Sequence, residues 1–318
     1  MQGRNTFSAS TFLTFLNVLS PDPQAQGRPM ADVLDHRFSP SGFLSWQTTI
    51  SPTLLNEVRF NFTRFGYNEI TSNPSVNWGV PRTEIQGLPL PGGQRIRFGA
   101  PQGDTTPGVF GQNTFSWRDM VSMVRGSHMI RIGFEGDRLQ DNSVEDGSSR
   151  PDYVFQGPWN LANGTPIFEG IAVNPSSGGP ETTKPTYFRS TDLGFFIQDD
   201  WKFRPNLTIN LGLRWDYFGP PTEAKGHLEN IIPGSDPILG LAEAHAVLPK
   251  QMWNTTWRNF GPRLGFAWSP DRFHSNAVIR GGFGIAFNRF DDVSFENTRN
   301  NPPLAANYGI CCGTAAGE

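Results

Sequence analysis

The chain has 318 residues, and its 26 basic and 29 acidic side chains give a formal net charge of −3, so it offers no basic field of the kind that holds nucleic acid. Charged residues make up only 17% of the chain, and it contains no run of about 18 apolar residues to form a transmembrane helix. The 35 glycines, 27 prolines and 26 phenylalanines favour an all-β fold with frequent turns.

In chain order, the first predicted elements are a weakly patterned strand at residues 7–18 and a hairpin at residues 38–67. Within this hairpin, apolar residues alternate with polar ones, which include Glu57 and Arg59. Because successive side chains of a strand point to opposite faces, the alternation predicts one apolar and one polar face.

The same pattern recurs in three further predicted hairpins, at residues 113–138, 187–218 and 261–289. Sequences rich in Gly, Pro, Asn and Ser join the two strands of each hairpin, as expected for turns. Two carboxylates, Asp119 and Asp199, depart from the apolar parity. The polar parity of the four hairpins supplies the candidate lumen-facing residues, which are Glu57, Arg59, Arg131, Glu135, Arg214, Asp216, Arg263 and Arg280.

Long polar segments separate the hairpins, so short turns and long loops alternate strictly. Outer-membrane β-barrels have this arrangement, with tight periplasmic turns and long extracellular loops. We therefore expect an antiparallel transmembrane β-barrel wall of about 8–9 strands in meander order, with its apolar face against outer-membrane lipid. A soluble β-sandwich is the alternative, although strands of globular proteins are usually about five or six residues long. The predicted loops cover residues 68–112, 139–186, 219–260 and 290–318.

The alternation is clearest at residues 207–218, where six apolar side chains share one parity. A helix would scatter these residues around its circumference. In a barrel wall, this strand is predicted to place Leu211 and Leu213 against lipid, and Asn210 and Arg214 in the lumen.

Several segments resemble the barrels of TonB-dependent receptors, and more narrowly their Oar-like branch. The segment FFIQDDWKFRPNLTINLGLRWDYFGPPTE, residues 195–223, resembles one barrel hairpin, and its QDDW motif is the most specific part. NFGPRLGFAWSP at residues 259–270 and IRGGFGIAFNRF at residues 279–290 are similar to the next hairpin. ISPTLLNEVRFNFTRFG at residues 50–66 and VRGSHMIRIGFEGDR at residues 124–138 are similar to the two preceding ones.

This resemblance implies a 22-stranded outer-membrane barrel with an N-terminal plug domain that the periplasmic protein TonB gates. No plug domain precedes the first predicted hairpin, and eight or nine strands are too few for such a barrel. We therefore expect an internal segment of a longer barrel. Its expected partners are outer-membrane lipid, the plug domain and remaining strands of the same protein, and TonB through the missing N-terminal region.

The expected function is that of a segment of a TonB-dependent receptor in the outer membrane of a Gram-negative type cell, for uptake of an unidentified ligand. The alternatives are a non-transporting Oar-like protein of adhesion or envelope structure, and a small complete outer-membrane barrel. The five histidines have no metal-site spacing, and no Gly-x-Ser-x-Gly elbow occurs. We therefore expect no enzymatic activity, no metal and no cofactor.

Overall fold

The computed structural model of the chain describes residues 4–20, 33–71, 82–88, 96–98, 108–145, 151–173, 185–270, 277–290, 298, 301 and 303–311. Parts of the four predicted loops lie outside these residues. The elements in chain order are β1 (Arg4–Ser20), β2 (Val33–Ser51), β3 (Leu54–Thr71), β4 (Arg82–Ile85), β5 (Ile96–Phe98), β6 (Gly108–Arg125), β7 (His128–Glu145), β8 (Asp152–Phe155), α1 (Pro158–Ala162), β9 (Phe168–Val173), β10 (Thr186–Arg204), β11 (Leu207–Phe218), β12 (Thr222–Glu223), β13 (Asn230–Ile232), β14 (His245–Val247), β15 (Asn259–Trp268), β16 (Ile279–Gly284) and β17 (Ala306–Cys311).

Nine strands form one antiparallel meander in the order β1, β2, β3, β6, β7, β10, β11, β15 and β16. The all-β prediction and the predicted meander order are therefore confirmed. The weakly patterned strand at residues 7–18 is real and extends over the whole of β1. Within the described residues, β1 pairs only with β2 and β16 only with β15, so these two strands are the edges of the sheet.

The first six strands of this wall have 17 to 19 residues each, whereas a tilted strand needs only about 9–11 to cross a bilayer. Two-residue turns join β2 to β3, β6 to β7 and β10 to β11. In the second of these turns, Gly126 has φ of 60°, a left-handed conformation that strains other residues. The tight turns therefore all lie at one end of the wall.

One face of the wall is covered with apolar side chains, many of which remain exposed. Leu211, Leu213 and Ile132 remain 42%, 45% and 52% exposed. The buried hydrophobic residues are few, and the loops contribute most of them: Ile85, Phe155, Phe188, Leu228 and Ala305. A soluble sandwich buries its apolar strand faces against a second sheet, so this arrangement argues for a wall that contacts lipid.

The loop segments form structure of their own that the sequence did not predict. A second sheet has the order β17, β9, β8, β4 and β5, and its β4–β8 pair is parallel. Cys311, at the end of β17, is disulfide-bonded. Separately, β13 and β14 pair as a small hairpin.

A buried glutamate fastens the start of the loop after β11. Glu223 accepts hydrogen bonds from the backbone N–H groups of Tyr187, Lys225 and His227 at 2.7 to 2.9 Å. Further along the same loop, Met252 packs on a buried cluster that includes Phe188. This loop is therefore anchored to the end of β10.

The last wall strand is shorter than predicted. The sequence predicted a strand over residues 277–289, but β16 covers only Ile279–Gly284. Three glycines in β16 weaken strand propensity, and as an edge strand it gains ladder bonds on one side only. Beyond it, Arg289 Nε lies 3.2 Å from Asp192 Oδ2 of β10, so the chain turns back across the wall.

Candidate functional site on the polar face

The strand register brings all eight predicted polar-face residues onto one face of the wall. Residues directly opposite each other in an antiparallel pair point to the same side. Arg59 lies opposite Arg118, and Arg118 opposite Glu135. Gly194 lies opposite both Glu135 and Asp216. Gly212, which shares a face with Asp216, lies opposite Arg263. Glu57, Arg131, Arg214 and Arg280 fall on the same face by the same register.

Three of the predicted residues form one charged cluster. Arg214 Nη2 bonds Glu135 Oε1 and lies 2.7 Å from Asp216 Oδ1, while its Nε donates to Asp216 Oδ1 at 2.8 Å. Asp216 is buried, with 5% exposure. Arg118 approaches the same glutamate, with 4.0 Å between its Nε and Glu135 Oε2. The cluster spans four strands, from β6 to β11.

A glycine in the strand between them makes the contact between Glu135 and Arg214 possible. Glu135 lies on β7 and Arg214 on β11, with β10 between them. The β10 residue opposite both Glu135 and Asp216 is Gly194, and a Cβ there would lie 2.6 Å from Arg214 Nη2. Arg214 reaches across β10 through the space that this glycine leaves.

The other predicted charges divide into paired and unpaired groups. Arg59 Nε donates to Glu57 Oε1 at 2.6 Å. Arg131 Nη1 lies 3.2 Å from Asp200 Oδ2. Within the described part of the chain, Arg263 and Arg280 make no ion pair or hydrogen bond. The structure thus brings most of the charges together but leaves two arginines of the β15–β16 hairpin uncompensated.

Arg118 is a polar-face residue that sequence reasoning missed. It lies between Trp117 and Asp119, which point to the apolar face, so the local sequence hides its parity. Its guanidinium carbon lies 5.4 Å from the centre of the Phe196 ring. The strand period could have identified Arg118, because residues two apart in a strand point to the same face and Arg118 lies two residues from both Ser116 and Met120.

Both carboxylates on the apolar face have polar partners near the turn end of the wall. Asn56 Nδ2 donates to Asp119 Oδ1 at 2.5 Å, which supplies the explanation that the sequence lacked. His128 Nδ1 lies 2.7 Å from Asp199 Oδ2. These contacts reduce the cost of placing carboxylates on a face that is otherwise apolar.

Aromatic residues gather at both ends of the apolar face. Near the turns, Trp201 packs edge-on against Phe203 with centroids 4.8 Å apart. Near the loops, Trp257 stacks on Tyr217 at 4.5 Å and its carbonyl accepts a hydrogen bond from Trp215 Nε1 at 2.9 Å. Such girdles mark the two membrane interfaces of an outer-membrane barrel.

Among the residues that the structure describes, no group of three or more His, Cys, Asp or Glu side chains is arranged to hold a metal ion. No helix in the same residues is long and apolar enough to cross a membrane.

One family profile covers almost the whole chain. The profile of the family described as outer membrane beta barrel domain matches residues 4–316. The crystal structure of the outer membrane transporter YddB from Escherichia coli superposes with a TM-score of 0.42 at 10% identity, covering 83% of this chain. The chain spans about a third (35%) of the length of that transporter. Among curated protein sequences, none matches the chain.

Proposed function

Since the chain belongs to the outer membrane beta barrel domain family and lies in the outer membrane, we propose that it forms part of the wall of a TonB-dependent receptor that takes up a ligand. In this proposal the polar face lines the lumen of a larger barrel, and the apolar face contacts lipid. Further strands of the same protein pair with β1 and β16, because unpaired strand edges are not tolerated in hydrocarbon.

The observation that carries the proposal is the continuous charged face opposite a continuous apolar face. Burying the Arg214 cluster in a soluble core would cost several kcal/mol per ion unless every charge were compensated. A water-filled lumen removes most of that cost, and it also explains how Arg263 and Arg280 remain without counter-ions. A polar wall of this kind suits a path for a hydrophilic ligand.

The QDDW motif, residues 198–201, adds support from the sequence resemblance. In the structure its side chains alternate between the two faces. Asp200 accepts from Asn210 Nδ2 at 2.7 Å on the polar face. Trp201 stacks on His128 on the apolar face. The motif that most resembles TonB-dependent receptors thus fixes both faces of the wall near the turns.

Uptake by intact cells tests the proposal. The gene for the full-length protein is deleted from its native bacterium, and the solutes that remain in spent medium are measured. The same measurement is made on a strain that lacks TonB, and the deletion strain is complemented with the full-length protein as a control.

We expect the deletion strain to leave one or more solutes unconsumed, and the strain lacking TonB to leave the same ones. A deletion strain that consumes every solute as the wild type does, but attaches differently to surfaces, would instead identify an adhesion or envelope protein.

A further inference from the structure

A cavity of about 380 Å³ opens on the polar face above Gly212 of β11. Gly212 lies directly opposite Gln198 on one neighbouring strand and Arg263 on the other. Asn210 and Arg214 flank it along its own strand, and both line the cavity. Because glycine has no side chain, four polar side chains surround an open floor. The volume lies within the range of small-molecule sites, about 300–1,000 Å³.

The charges around this cavity are unbalanced. Its lining contains Arg118, Arg214 and Arg263 and no carboxylate. Arg214 already holds Glu135 and Asp216. Arg263 is exposed and makes no ion pair or hydrogen bond within the described residues. All five N–H donors of its guanidinium are therefore available to a ligand.

Two further observations place the unbalanced positive charge at Arg263. The Nε of Arg118 is buried and faces Glu135, whose Oε2 lies 4.0 Å away. The amide nitrogens of Gln198 and Asn210 donate to Asp200, at 3.3 and 2.7 Å, but Asp200 does not line the cavity. Glu135 and Asp216 neutralise Arg214 and Arg118, and Asp200 pairs with Arg131, so Arg263 is the lining cation that has no counter-ion within the described residues.

We propose that this cavity binds a small organic anion through a carboxylate group, with Arg263 as its principal ligand. A guanidinium binds a carboxylate through two parallel hydrogen bonds, and the fork geometry makes Arg better suited to this than Lys. The proposal rests on the proposed function, since it takes the polar face as the wall of a water-filled lumen. It assigns a chemical class to a ligand that passes through that lumen.

Isothermal titration of the purified full-length protein in detergent with citrate tests this proposal. Three variants are compared with wild type: Arg263→Gln removes the unpaired cation, Gly212→Leu fills the floor of the cavity, and Arg125→Gln removes an equal charge at the β6–β7 turn. We expect citrate binding that Arg263→Gln weakens at least tenfold and Gly212→Leu abolishes. Arg125→Gln should leave it within twofold of wild type.

Citrate binding that is absent from wild type, or that is equal in all four proteins, would overturn the proposal. If the carboxylate belongs to a side chain of the same protein, Arg263→Gln lowers the unfolding temperature in citrate-free buffer and wild type binds no citrate. That result excludes a free solute as the occupant. The titration does not involve TonB, so its failure leaves the uptake experiment to decide the proposed function separately.

Discussion

His128 Nδ1 lies 2.7 Å from Asp199 Oδ2, and the His128 ring stacks on Trp201 with centroids 5.3 Å apart. All three side chains are on the apolar face, close to the turn end of the wall. The imidazole therefore bonds one oxygen of the Asp199 carboxylate, while Asp199 Oδ1 is buried without a hydrogen-bond partner.

Removing one member of this pair should cost more than removing both. His128→Phe leaves Asp199 without its imidazole partner, and an unsatisfied carboxylate at this position costs about 1–3 kcal/mol. The double variant His128→Phe, Asp199→Leu removes the polar group as well, and we expect it to be more stable than His128→Phe alone. Urea unfolding of the full-length protein in lipid vesicles measures both. Strictly additive losses would show that the two residues are independent.

A charge on the apolar face of β11 should destabilise the wall. Leu211→Arg places a guanidinium among exposed apolar side chains and should cost about 2–4 kcal/mol if the site is near the bilayer midplane. Ser116→Arg is the control, because Ser116 faces the polar side opposite Asp137. We expect the control to change stability by less than about 0.5 kcal/mol. Equal losses in vesicle unfolding would contradict the face assignment.

Chemical labelling should report the same alternation without relying on stability. Single cysteines are placed at each position from 210 to 214, after Cys311 and Cys312 are replaced by serine. A water-soluble thiol reagent should label positions 210, 212 and 214. A lipid-phase quencher should reach a fluorophore attached at positions 211 and 213. Uniform aqueous labelling would mean that this strand does not face lipid.

Arg214→Leu should be more damaging than an exposed charge deletion on the same face. It leaves buried Asp216 without its guanidinium partner and Glu135 without its closest cation, and an unsatisfied buried acceptor costs about 1–3 kcal/mol. Arg59→Leu is the matched control, because the Arg59 side chain is 45% exposed and its pair with Glu57 contributes at most about 1 kcal/mol. Equal unfolding midpoints for the two variants would show that the cluster adds no stability.

The turn at Asp236 should loosen only in acid. Backbone N–H groups of Leu239 and Ile238 donate to its carboxylate and hold the pKa of Asp236 below its ordinary value. With the folded pKa lowered, this stabilisation is present above the ordinary value of about 3.9 and is lost as pH falls through the lowered pKa. Amide NMR shifts of Ile238 and Leu239 should therefore stay constant from pH 7 to 5 and move below about pH 4. Asp236→Asn should abolish that movement.

The wall itself could be predicted from the sequence because alternate side chains of each strand contact either lipid or the water-filled lumen. That constraint is strong at β11, whose apolar parity is unbroken, and weak at β1, where Phe12 and Leu16 add apolar residues to the opposite parity. Strand ends were harder to predict. The strands extend beyond the expected membrane-spanning length, and there both faces meet water, so the alternation fades.

The loop sheet and the contacts within the site could not be predicted in this way. Strand β17 pairs with β9, so Ala306 lies opposite Val173, and neither segment carries a local signal for the other. The alternation of apolar and polar residues placed Glu135 and Arg214 on the same face but did not predict their ion pair. That contact depends on Gly194 in the strand between them. A single-strand pattern contains no information about what an intervening strand leaves open.

The space at Gly194 has a mechanical consequence. Ladder hydrogen bonds tie each strand only to its immediate neighbours and resist sliding of one strand along the next. The ion pair between Arg214 and Glu135 links β11 to β7 across β10, so it connects two strands that are not neighbours in the sheet. If β10 slid along its neighbours, Gly194 would no longer lie beneath the Arg214 guanidinium. A bulkier β10 side chain would then displace the guanidinium and break the ion pair. Strands β7, β10 and β11 should therefore move as one rigid unit when a force deforms the wall. Bending should concentrate at the β15–β16 pair, which is short and rich in glycine.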